Sequence, residues 1–192
     1  MDWLTFISKI IDSLVWPASI AFLFYLLRND LPTIAKYIKK LKYKDLEMEF
    51  GESLKAVDKE TKEAIPRVPD TVAISGQPVD QVKDRLNSIA ELAPRSAILE
   101  AWLQVESAAV DVVRKKGISD FKSMPGPMRL RDYLIKGELL NERQIAIFEQ
   151  LRVLRNEAVH VADAEFTNEA VSHYISSALM MAAYLEGKSN KL

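Results

Sequence analysis

A chain of 192 residues is long enough for one packed domain with an attachment, at about 100–200 residues per domain. Its 26 Lys+Arg against 27 Asp+Glu leave a net charge of −1, which excludes a polybasic protein that coats nucleic acid by charge alone. With no cysteine, disulfides, thiolate metal sites and cysteine nucleophiles are excluded; with two histidines, His160 and His173, a histidine metal centre is not expected, and no cofactor is expected either.

The first element is apolar. Leu14 to Leu27 carries no charge, and extending back to Ile10 gives 18 residues broken only by Asp12. That length suits a membrane-spanning helix, which needs about 17–25 mostly apolar residues. Membrane helices tolerate a proline such as Pro17. The acidic Asp2, and the lack of a small-x-small site after the run, favour a retained anchor over a cleaved signal. Arg28, Lys36, Lys39, Lys40, Lys42 and Lys44 follow the run, so the body of the protein is expected on the cytoplasmic side of the membrane. These cations alternate with Ile34, Tyr37, Ile38 and Leu41, a basic amphipathic stretch suited to anionic lipid. Asp12 is costly in lipid and points to an interface, a partner helix or a water-filled interior, the last of which implies an oligomer.

A connector comes next. Leu46, Met48 and Phe50 alternate with acids, the pattern of a short strand-like arm near 45–50. Residues 52–65 read as a helix with Leu54, Val57 and Ile65 on a thin apolar face, and 66–79, with three prolines and Gly76, read as a loop. The layout is therefore an anchor over 1–30, a connector over 31–79 and a helical bundle over 80–192.

Everything after Asp80 has helical spacing. Val82, Leu86, Ile89 and Leu92 line one helix, and Pro94 opens the next at a favoured first-turn position. There, Ile98, Trp102, Val105, Ala109 and Val112 form one stripe, and Leu99, Leu103, Val110 and Val113 a second. Gly117 after three cations is a stop signal. A proline-bounded loop leads into a short helix ending at Gly137. A long helix from Asn141 to about Val159 has Ile147, Leu151, Leu154 and Ala158 as its core line. Thr167 caps the last helix. The fold class is all-α: a transmembrane helix plus a four- to five-helix up-down bundle.

Near the end of the long helix stands Arg155-Asn156-x-x-x-His160. This resembles the R-polar-x-x-x-H signature of HEPN-type helical domains, many of them ribonucleases of toxin and antiviral systems, and the resemblance spans roughly residues 80–186. It implies metal-independent RNA cleavage, leaving 2′,3′-cyclic phosphate ends, by Arg155, Asn156 and His160. Histidine titrates near neutrality and can move the 2′-hydroxyl or leaving-group proton. A guanidinium can stabilise charge on the phosphorane-like transition state. On an ideal helix Asn156 and His160 share a face, whereas Arg155 lies about 140° from His160, so the two converge only if the helix ends or bends. The resemblance also implies a dimer that brings two motifs together.

Glu106 continues the second stripe of its helix, so it needs a partner, and Arg155 is a plausible one. Arg155 is then either catalytic or a tie between helices. His173 lacks a partner motif and reads as an ordinary histidine. The layout also resembles small membrane HEPN-type proteins that accompany RNA-targeting CRISPR effectors. That resemblance implies a second function: a non-catalytic bundle that oligomerises to assemble its N-terminal helices into a pore or scaffold. Membrane lipid, a second copy, RNA and a defence-system effector protein are the expected partners.

Overall fold

The computed structural model describes residues 3, 9, 13, 15–20, 22, 25, 50–68, 72–118, 126–160 and 166–192. Contacts divide the chain into Met1–Asp45 and Leu46–Leu192. In the first unit the described residues are helical, and Trp3, Val15, Trp16, Phe22 and Tyr25 are all exposed. Among the described residues no helix is long and apolar enough to cross a membrane. Asp12, Arg28 and the five lysines from Lys36 to Lys44 lie outside the described residues, so the expected span and lipid-facing stretch fall largely beyond them.

In the second unit most of the arm expected near 45–50 lies outside the described residues. Residues 45–49 are outside the described set, but Phe50 is already helical, in α1 (50–64). Leu54, Val57 and Ile65 are buried as expected, and Phe50 joins them. α1 therefore contributes to the same hydrophobic core as the helices after it, rather than lying in a connector outside the bundle. Phe50 stacks tilted on Phe166, 4.9 Å between ring centres.

The loop read over 66–79 contains a hairpin. β1 (Ala73–Ile74) pairs antiparallel with β2 (Gln77–Pro78), in the register Ala73↔Pro78 and Ile74↔Gln77. Ser75 (φ 50) and Gly76 (φ 78) make the turn, both left-handed as a two-residue hairpin of the I′ kind requires. Ile74 is fully buried, so the hairpin is pinned to the core. Two-residue strands are too short to produce alternation in the sequence.

Five helices follow. α2 (Val79–Leu92) buries Val82, Leu86 and Ala90. Leu92, expected on that line, is 91% exposed, because the chain leaves the helix at Ala93 and turns at Pro94. α3 (Pro94–Lys115) buries the first of its two stripes, but the second stays open at Leu103, which is 51% exposed. Gly117, at φ 69, stops it. α4 (Pro127–Lys136) ends in a Schellman-type closure, with Leu139 N–H donating to Leu134 O and Glu138 N–H to Ile135 O, each at 3.0 Å. The left-handed residue there is Glu138 (φ 52), not Gly137. A Cβ at Gly137 would stand 3.0 Å from Ile118 and 3.2 Å from Leu139, so those side chains would have to give way to a larger residue.

α5 (Glu142–His160) opens with a reciprocal cap: Gln144 N–H donates to Asn141 Oδ1 at 2.9 Å, and Asn141 N–H to Gln144 Oε1 at 3.1 Å. Its line of Ile147, Leu151, Leu154 and Ala158 is buried. α6 (Asn168–Ser189) is capped by Thr167, whose hydroxyl oxygen accepts from Ala170 N–H at 3.2 Å.

α3 and α6 form the most extensive pair and run the same way. Arg95 at the start of α3 lies 5.6 Å from the ring of Phe166 just before α6, and Lys115 at its end donates to Ser189 O at 3.2 Å. α5 returns antiparallel, with Phe148 5.2 Å from Trp102. α1 lies along both α5 and α6: Gln144 donates to Ala64 O at 3.3 Å, and Asp58 meets His173.

Candidate functional site

α5 stays helical through His160, so backbone geometry does not fold Arg155 and His160 together. Leu151, Leu154 and Ala158 face the core. Arg155 and Asn156 are half-buried, and His160 is exposed at the last turn.

The side chains modify what the backbone angle suggests. Arg155 Nη1 donates to Asn156 Oδ1 at 2.8 Å. Adjacent helix residues point about 100° apart, so this bond draws the guanidinium round the helix toward the face that Asn156 shares with His160. Arg155 Nε is buried with no hydrogen-bond partner among the described residues. No ion pair joins Arg155 to Glu106 or to another carboxylate there, so the expected tie between helices is not formed at contact distance.

Both charged groups nonetheless act on one neighbour. Tyr174 is fully buried and donates its hydroxyl to Leu151 O at 3.1 Å. Burial holds its phenol well above the usual range; Arg155 pulls it back and Glu106 pushes it further up. The guanidinium thus lies beside a neutral phenol, with its charge uncompensated by contact. Arg152, one turn earlier, is spent differently: it pairs with Glu149 at 2.9 Å, and Glu149 also takes Arg131 at 3.4 Å.

His160 has no hydrogen bond or ion pair among the described residues. The arrangement offers an exposed imidazole at a helix end, an amide one turn back on the same face, and a cation bonded to that amide with no carboxylate in contact among the described residues. It can receive an anion. Among the described residues no cluster of three or more His, Asp or Glu could hold a metal ion.

A second polar cluster was not visible in the sequence. Asp58 is 3% exposed on α1, and its Oδ2 takes Lys62 Nζ at 2.6 Å and His173 Nδ1 at 2.8 Å. Ser177 reaches Oδ1 at 3.5 Å. The other imidazole nitrogen of His173 lies 3.8 Å from Glu169, which Lys55 holds at 3.0 Å. Burial alone would raise the Asp58 carboxyl, but the hydrogen bonds and charges of Lys62 and His173 outweigh it and leave it below its ordinary value. His173 therefore has a partner after all. The signal was Asp58 itself, four residues after the core residue Leu54 and so on its inward face.

Compared with protein-family models, with curated proteins and with solved structures, the chain matches none.

Proposed function

We propose that this chain is a membrane-anchored, HEPN-like effector of bacterial antiviral defence that cuts RNA without a metal, with Arg155, Asn156 and His160 at the reacting phosphate. The observation that carries the reading is the Arg155–Asn156 hydrogen bond, which ties a guanidinium with no ion pair among the described residues to the amide that shares a helix face with the exposed His160. In the reaction, the 2′-hydroxyl attacks the adjacent phosphorus and the 5′-oxygen leaves. His160 takes the first proton or gives the second, and Arg155 neutralises the charge that builds on the non-bridging oxygens. A second copy supplies the complementary half, since one imidazole cannot serve both oxygens at once. The near-neutral balance of residues 80–192, 15 bases against 16 acids, fits a small local cleft rather than a long RNA track.

A second reading makes the bundle a non-catalytic assembly device for membrane helices. It is favoured by the first unit, where helical residues Val15, Trp16, Phe22 and Tyr25 leave apolar side chains uncovered, as a lipid or partner-facing surface does. Expressing wild type and His160→Ala at matched levels in bacteria separates the two. RNA ending in 2′,3′-cyclic phosphate, absent with the variant, is the outcome expected of the nuclease. Intact RNA with a collapsing membrane potential in both strains transfers the function to assembly.

A further inference from the structure

A cavity of about 560 Å³ opens where the end of α1, the hairpin, the start of α2 and the middle of α6 meet. It is lined by neither the motif residues of α5 nor the Asp58–His173 cluster. Its volume falls within the roughly 300–1,000 Å³ of small-molecule sites. Leu179, Met180 and Ala183 of α6 supply an apolar lining, and Val68 and Val79 line it from the chain opposite. Ile65 and Val72, also in the lining, are buried, and Val68 packs so closely on α6 that a Cβ at Gly187 would stand 3.1 Å from it. The recess is part of the packed fold.

Its rim is charged unevenly. Among the described residues, Arg67 and Lys83 border it with one carboxylate, Asp80, a surplus of one positive charge. Neither cation has an ion pair among the described residues. An apolar floor below unpaired cations matches a molecule with an apolar body and an anionic head. Arg67 can grip a carboxylate through two parallel N–H bonds, and Met180, flexible and polarisable, can adapt to an alkyl chain.

We propose that this cavity binds a single-chain anionic amphiphile of the fatty-acid class, its alkyl chain against Leu179 and Met180 and its carboxylate between Arg67 and Lys83.

The full chain carrying ¹³C-methyl methionine tests this, with the Met180 signal assigned through Met180→Leu. Titration with decanoate should move the Met180 signal to a plateau while that of Met128, 58% exposed on α4, stays in place. The double variant Arg67→Glu/Lys83→Glu should weaken the midpoint about tenfold or more; both positions are exposed, so the fold is kept. Decyltrimethylammonium, with the same tail and opposite charge, should leave Met180 unmoved. An unmoved Met180 with decanoate, a drift of Met180 and Met128 together without a plateau, an equal response to the cation, or an unchanged midpoint in the double variant would each overturn the proposal.

Discussion

His173 has an aspartate 2.8 Å from one ring nitrogen and a glutamate 3.8 Å from the other, whereas His160 ends α5 exposed and without a partner among the described residues. The two histidines differ in what their neighbours leave for them to do. Around His173 the polar groups form a chain, from Lys62 through Asp58 and the imidazole to Glu169 and Lys55, so each group already has a partner. Such a network ties α1 to α6 and leaves nothing over for a substrate. One turn back from His160 on the same helix face is an amide bonded to a cation that no carboxylate among the described residues neutralises. Chemistry is to be sought where polar groups remain unanswered, and stability where they close on one another.

The strongest way to break this comparison is to exchange the roles. His160→Ala should lower RNA cleavage by about 100-fold or more, the ordinary contribution of a general acid or base, with the melting temperature unchanged because the side chain is exposed. His173→Ala should do the reverse, lowering the melting temperature and sparing cleavage. If His173→Ala alone removed activity, the closed network would be the site and the assignment of His160 would fall. Urea unfolding and a cleavage assay on the same preparations read both outcomes.

Next in size is Asp58→Ala. Removing the shared acceptor leaves Lys62 free to reach water but strands a half-buried imidazole, at a cost of about 1–3 kcal/mol. Denaturant unfolding measures it; a change within about 0.5 kcal/mol would mean that the network is ornamental to the docking of α1.

These expectations rest on residues that the sequence revealed unequally. The helices from Val79 onward were legible because their ends carry chemistry with local causes: Pro94 at a first turn, Thr167 accepting from Ala170, Gly117 in the left-handed region. Asn141 was legible as a helix start, though not its reciprocal bond with Gln144. Where two signals compete, the reading slips. Gly137 reads as the conformational stop, but its φ is −82 and Glu138 takes the left-handed φ, while a Cβ at Gly137 would crowd Ile118 and Leu139. Leu103 sits on a perfectly periodic stripe yet is half open, since periodicity places a face without saying what covers it. The motif positions could be read, but the Arg155–Asn156 bond could not, because neighbours along a helix do not face each other and only a long side chain bridges them. Asp58 and His173 come from opposite ends of the bundle's sequence, and packing alone introduces them.

Acid sharpens the comparison further. The Asp58 carboxyl lies below its ordinary value of 3.8 in the folded chain, so the unfolded chain binds the proton more readily. Stability from this group is therefore complete well above pH 3.8 and is lost as pH falls through that value toward the lower folded one. Asp58→Asn should flatten this part of the pH–stability curve, while His160→Ala should leave it as in wild type. Urea midpoints taken across the acid range decide it; parallel curves for wild type and Asp58→Asn would show that other carboxylates govern the acid limb.

The smallest effect is expected at Ser177, and it tests how closed the network is. Its hydroxyl donates to His173 O at 3.0 Å and reaches Asp58 Oδ1 at 3.5 Å, the latter at the limit of a useful hydrogen bond. The His173 carbonyl lies within α6 and keeps its helical partner without the hydroxyl. Ser177→Ala also leaves a methyl group well suited to a fully buried position. The cost should be about 0.5 kcal/mol or less in unfolding, with no change in cleavage. A loss as large as that of Asp58→Ala would make Ser177 the second anchor of the carboxylate, and Asp58 would then depend on α6 through both oxygens rather than through His173 alone.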